Sequence, residues 1–153
     1  MLTLEELACN YETMRHIERV RNLLNTMAID LLRRGELHDQ TKMEPPEVGP
    51  FTKMTPELSK LTFGTPEYEE SKKQLGEALT HHYARNRHHP QHWKRGIRDM
   101  NLLDIIEMFC DWKAASERHD DGNLRKSIQI NGEKYQFPPE LVEIFENTVE
   151  VVE

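Results

Sequence analysis

The chain has 153 residues, 37% of them hydrophobic and 31% charged, with a net charge of −7. That is material for one ordinary domain, 1–153, with a real core, and no apolar run approaches the roughly 18 residues a membrane span needs, which excludes a membrane partner. The acidic balance also excludes a protein built to grip long nucleic acid, which takes a basic stripe.

The N-terminal Met1-Leu2-Thr3-Leu4-Glu5-Glu6 lacks the basic-then-apolar order of a secretory signal. Thr3-Leu4-Glu5-Glu6 has the form of a capping box, which opens a short helix to about Ala8. From 11 to 34, Met14, Ile17, Val20, Leu24, Met27 and Leu31 recur at helical spacing, with Gly35 as the stop. His16 lies at the edge of that apolar face, one turn from Val20, and is expected to point inward. The stretch 43–66 is rich in proline and glycine and reads as loop with one short helix at 56–61. Thr65 and Pro66 then cap and open a helix to about Tyr83. Pro90 and Gly96 break the next segment, and Asn101 caps a helix running to about Arg118. His119 falls at that helix end, where a cation suits the dipole. Ile128, Ile130, Tyr135 and Phe137 alternate around Asn131-Gly132, which predicts a β-hairpin at about 127–137. This hairpin either covers the core or forms the edge of a homo-oligomer. Pro138-Pro139-Glu140 opens a last helix, about 139–150. The fold class is mainly α, with one small hairpin near the C-terminus. Cys9 and Cys110, outside any C-x-x-C pair, favour a reducing, cytoplasmic compartment with both thiols buried. Trp93 and Trp112 read as core residues.

Five of the eight histidines fall within the twelve residues His81 to His92. Upstream stands the pair His38-Asp39, and downstream Asp104, Glu107 and Asp111 form one acidic stripe at i, i+3 and i+7 of a helix. Burying three carboxylates together raises their pKa values unless a cation compensates. Imidazole and carboxylate are the ligands that borderline divalent metals prefer, so three segments rich in them predict a metal site. His81 and His82 point about 100° apart on a helix, so one of them, His82, is expected to face the site. The basic cluster Arg85, Arg87, Lys94, Arg95 and Arg98 reads either as a solvated face or as a rim for a phosphorylated small molecule.

The order His16, His38-Asp39, histidine cluster, Asp111 resembles the HD-domain superfamily of metal-dependent phosphohydrolases, whose signature is H…HD…D on a helical bundle. His38-Asp39-Gln40-Thr41-Lys42 is similar to its H-D-x-G/S-K variant. His88-His89-Pro90-Gln91-His92-Trp93-Lys94-Arg95-Gly96 resembles the H-H-E-x-W-D-G segment of the HD-GYP branch. Lys94-Arg95-Gly96-Ile97 replaces that branch's G-Y-P tail, so its cyclic dinucleotide specificity does not transfer. The apolar helix usual before the HD pair is reduced to Gly35-Glu36-Leu37. Over most of its length the chain also resembles an uncharacterised family common in phage genomes, through Asn86 to Trp93 and Glu107 to Ala115.

The resemblance implies a compact HD-like helical bundle and one or two divalent transition ions, Mn, Fe or Zn. It implies His16, His38, Asp39 and Asp111 as ligands of one ion. His82, His88 and His89 would serve a second ion or a substrate phosphate, with Asp104 and Asp111 both open as the last ligand. Asp39 would bridge or orient water, Lys42, Arg85, Arg87 and His92 would hold an anionic substrate, and Asp104 or Glu107 would act as base or behind a ligand histidine. The expected activity is hydrolysis of a phosphomonoester or phosphodiester, with a nucleotide as substrate class. An HD-like di-iron oxygenase and a non-catalytic, phage-encoded metal- or ligand-binding protein are the alternatives.

Overall fold

The computed structural model describes residues 2–118 and 122–152, so His119 lies outside the described residues. Among these the chain is helical, with seven α-helices and no strand. They are α1 (Leu4–Leu37), α2 (Val48–Leu58), α3 (Pro66–Lys73), α4 (Gly76–Arg85), α5 (Leu102–Ser116), α6 (Leu124–Tyr135) and α7 (Pro139–Val152). Short 3-10 turns at Gln40–Met43, Pro90–His92 and Gly96–Asp99 join them. No described helix is long and apolar enough to cross a membrane.

The chain divides into two compact units, Met1–Leu37 and His38–Glu153. The first is α1 alone. The Thr3–Glu6 capping box forms, with the Glu6 backbone N–H donating to Thr3 Oγ1 at 3.1 Å and the Thr3 N–H to Glu6 Oε2 at 2.7 Å. It opens one continuous helix rather than a short one followed by a second, because no residue between Ala8 and Tyr11 breaks the pattern. Gly35 lies inside the helix, two residues before its end. Within this unit, a single helix, no described residue is buried.

In the second unit, α5, α6 and α7 supply most of the core: Met108, Phe109, Leu124, Ile128, Phe145 and Val149, with Met100 and Phe137 from the connections. Trp93 and Trp112 pack against it, as their composition suggested. The region 124–137 is the main correction. The alternation of Ile128 with Ile130 and of Tyr135 with Phe137 covers two short steps, whereas Leu124, Ile128, Asn131 and Tyr135 hold helical spacing throughout. Asn123 caps the helix, its side chain accepting from the Lys126 N–H at 2.9 Å. Asn131-Gly132 therefore sits within α6 and not in a hairpin turn. Gly132 serves a different purpose there: a Cβ would stand 3.2 Å from Val142 Cγ2, so its absence lets α7 approach closely.

Two helix boundaries also differ from expectation. The helix anticipated from Pro66 to Tyr83 is interrupted where Gly76 takes φ +49, giving α3 and α4. The short helix near Pro56 starts earlier, at Val48, and ends at Leu58, with Pro56 in its last turn. Both cysteines are free, and both are exposed rather than buried.

Candidate metal centre

Three local structures deliver the site residues, all within the second unit. His38 and Asp39 precede the Gln40–Met43 turn, and Asp39 takes a left-handed conformation, φ 56, which Asp tolerates better than most residues. His82 lies on α4, whose end is fastened by Asn86: its side-chain amide donates to the His82 carbonyl at 2.9 Å and to Thr41 Oγ1 at 2.9 Å. That places His88 and His89 just beyond the helix end. α5 turns Met108 and Phe109 to the core and carries Glu107 and Asp111, one turn apart, on another face.

Four imidazoles and two carboxylates converge. Two overlapping groups have ligand atoms within 4.8 Å of one another: Asp39, His82, His88 and His89, and His38, Asp39, His88 and Asp111. Asp39 and His88 belong to both. Asp39 Oδ1 lies 3.4 Å from His82 Nε2 and 3.6 Å from His88 Nε2. His38 Nε2 lies 3.5 Å from Asp39 Oδ2 and 3.6 Å from Asp111 Oδ1. Ligand atoms of one tetrahedral shell with bonds of about 2.0–2.1 Å stand about 3.4 Å apart, a spacing these atoms could meet around an ion. His82 Nε2 and His89 Nε2 are closer, at 2.8 Å, and share a hydrogen bond.

Behind the imidazoles stand two carboxylates. Glu107 Oε1 accepts from Nδ1 of His38 at 3.0 Å and Nδ1 of His88 at 3.1 Å. Glu47, fully buried, accepts from Nδ1 of His82 at 2.9 Å and Nδ1 of His81 at 2.7 Å. Carboxylates behind ligand histidines fix the tautomer that leaves Nε2 as the free lone pair. Here they leave His88 Nε2, 1% exposed as a residue, facing Asp39 Oδ1; both atoms are buried without a hydrogen-bond partner. Two buried acceptors aimed at each other are unfavourable unless a cation lies between them.

The electrostatics agree. Hydrogen bonds to Asp111 and Glu107 raise His38 to about 10. Asp111 is held down at about 2 despite its burial, by the hydrogen bond from His38 and the neighbouring imidazoles. Glu107 is lowered by His38 and His88 against the desolvation that would raise it. His89 is pushed down to about 2 by burial and by His88, and His82 is lowered by burial, so both are neutral and ready to ligate. The carboxylates that favour a proton on His38 would favour a metal cation in the same place.

Of the residues singled out in the sequence, His38, Asp39, His82, His88, His89 and Asp111 come together in the two groups. His16, on α1, is in neither. Glu107 lies behind His38 and His88. Asp104 is also in neither group; its buried carboxylate binds Arg87 in a fork at 3.1 and 3.2 Å and accepts the Asn101 N–H at 2.9 Å. Arg87 is thereby committed, with its guanidinium 4.5 Å from the centre of the Trp93 ring. His92 pairs through Nδ1 with the Tyr83 carbonyl at 3.0 Å, and Arg85 is exposed at the end of α4. Lys42 binds Asp39 Oδ2 at 2.6 Å. Glu47 was not anticipated; it follows Pro45-Pro46 in a stretch that reads as loop, and only its complete burial reveals it.

A cavity of about 240 Å³ opens beside the cluster, lined by His82, His89, Asp111 and Lys42 and by residues of α3, α5 and α6. Neither Arg85 nor Arg87 lines it; the described cations that do are Lys42, Lys72, Arg118 and Lys126.

A helical unit carrying a buried histidine–carboxylate cluster that could hold a metal ion is the class these features define. The chain belongs to a family described as "Family of unknown function (DUF5662)", whose model matches residues 5–151. No curated protein and no solved structure matches the chain.

Proposed function

We propose that the protein is a cytoplasmic, HD-like metal-dependent phosphohydrolase acting on a small phosphorylated molecule of the nucleotide class. The observation that carries this reading is the buried, unpartnered pair of acceptors, Asp39 Oδ1 and His88 Nε2, shared by two four-residue ligand groups. His38, Asp39, His82, His88, His89 and Asp111 would hold one or two divalent ions, and a borderline metal such as Mn, Fe or Zn suits this donor set. When bound, such ions lower the pKa of a water and neutralise phosphoryl oxygens.

The remaining chemistry belongs to the side chains. Glu107 and Glu47 hold three imidazoles in register. Asp39 orients the attacking water. Lys42, at the cavity wall, supplies an ammonium to the phosphate oxygens. The order His38-Asp39, histidine cluster, Asp111 along the chain supports the HD-like assignment. The count of four imidazoles and two carboxylates also suits non-haem iron, which favours a di-iron oxygenase as the second reading.

Hydrolysis of p-nitrophenyl phosphate and bis-p-nitrophenyl phosphate by protein reconstituted with Mn, Fe or Zn tests the proposal. Release of p-nitrophenol that is lost in Asp39→Asn supports it. Metal-loaded protein inert toward these and toward nucleoside monophosphates, with an oxygen-dependent di-iron absorption band, would replace it with the second reading.

A further inference from the structure

The cavity continues away from the ligand cluster into a region with no part in holding an ion. α6 lines it with Ser127, Ile130, Asn131 and Tyr135, α3 with Tyr68 and Lys72, and α5 with Trp112. Three features there are not explained by packing alone. Asn131 is 4% exposed, yet its amide nitrogen has no hydrogen-bond partner. Leaving a buried amide donor unpaired is unfavourable, and a core position would normally avoid it by carrying an apolar residue. Lys72 is half-buried, lies 5.8 Å from the centre of the Tyr83 ring, and has no carboxylate within ion-pair distance among the described residues. Burial lowers its amine against the pull of Glu69 and Asp111, and Lys42 adds a smaller lowering. The walls are aromatic, and burial raises the hydroxyls of Tyr68, Tyr83 and Tyr135, keeping them neutral.

An aromatic-walled pocket with an unpaired amide donor suits a flat ring with an acceptor at its edge, and Lys72, beside the Lys42 ammonium that Asp39 holds at 2.6 Å, suits a phosphate. We propose that this cavity binds a phosphorylated ligand through a planar ring bearing a carbonyl acceptor, with Asn131 donating to that carbonyl and Lys72 and Lys42 holding the phosphate. The proposal rests on the phosphohydrolase reading for the fate of the ligand, but the ring pocket itself stands on Asn131, Lys72 and the aromatic walls. Asn131 is then a specificity-determining residue, since a buried donor left unpaired discriminates against ligands that lack the acceptor.

Binding is measured on the full chain with UMP and IMP, whose planar bases carry carbonyls, and with ribose 5-phosphate, which has the phosphate and sugar but no planar base. Trp112 lines the cavity and Trp93 does not, so quenching of tryptophan fluorescence reports occupancy, with calorimetry as the second readout. At least one of UMP and IMP should bind tenfold or more tightly than ribose 5-phosphate. That ratio should fall towards one in Asn131→Leu, which removes the donor at similar volume. It should also fall in Asn131→Asp, which replaces the donor by an acceptor. Equal binding of phosphates with and without a planar base by the unaltered protein overturns the proposal without recourse to a variant. A tenfold preference that survives both substitutions removes Asn131 from the pocket and overturns it equally. A ring preference without hydrolysis of any phosphoester keeps the pocket and rejects the hydrolase. Hydrolysis without a ring preference does the reverse.

Discussion

His38 decides the charge of the cluster. In the metal-free protein its folded-state pKa of about 10 lies above its ordinary 6.5, because Asp111 and Glu107 hold the imidazolium. The stabilisation this gives is complete below 6.5 and is lost as pH rises through about 10. Asp111 runs the other way: lowered from 3.8 to about 2, it stabilises fully above 3.8 and ceases to do so as pH falls through about 2. Both contributions are present together between about pH 4 and 6.5. Melting temperatures of metal-free protein should therefore fall from pH 7 toward 10, and less so in His38→Gln; a His38→Gln profile parallel to the unaltered one would contradict this. Metal must also displace the His38 proton, whereas His82 and His89 are already neutral, so His38 contributes about one proton released at pH 7. Calorimetric titration in buffers of different ionisation enthalpy reads that proton, and an enthalpy independent of buffer would deny it. The position of Glu47 leads to a further expectation. Glu47→Gln leaves one of two imidazoles without its carboxylate and should weaken metal binding about 10- to 100-fold while the protein stays folded. Unchanged affinity would make Glu47 a packing residue only.

At the level of elements, the caps were the most legible feature and the turns the least. Asn101 accepts from the Leu103 and Asp104 N–H groups at 2.9 and 3.0 Å, and Asp104 returns a bond to the Asn101 N–H. Asn101→Ala should cost about 0.5–2 kcal/mol by thermal or chemical denaturation. Gly76→Ala should cost about 1–2 kcal/mol, since a Cβ at φ +49 is strained although nothing crowds it. Stability unaltered by either change would remove that boundary from the fold's determinants. Capping residues act through bonds within four positions, which is why Thr3, Thr65 and Asn101 could be placed from local sequence. Asn131-Gly132 has two local meanings, a hairpin turn or a close helix contact, and Val142 across the interface chooses the second. Among the site residues, His38, Asp39 and Asp111 are recognisable from their order along the chain. The fork between Arg87 and Asp104 and the burial of Glu47 arise from tertiary packing, so an acidic stripe alone could not tell Asp104 from Asp111.

The buried core and the candidate ligand groups both lie in the unit that follows Leu37. Met108, 1% exposed within the core of α5 to α7, should cost about 2–5 kcal/mol when replaced by Ala. A loss below about 0.5 kcal/mol would remove Met108 from the determinants of this core. The six donors all lie in the second unit, and the central claim is that they hold metal. Elemental analysis of protein purified without chelator or nickel resin tests it most directly, on the unaltered chain and on Asp39→Ala. One or two equivalents of a transition metal per chain are expected, lost in Asp39→Ala with helical content nearly intact. A folded, metal-free protein that takes up no added Mn, Fe or Zn, or an Asp39→Ala variant that retains metal in full, would contradict it.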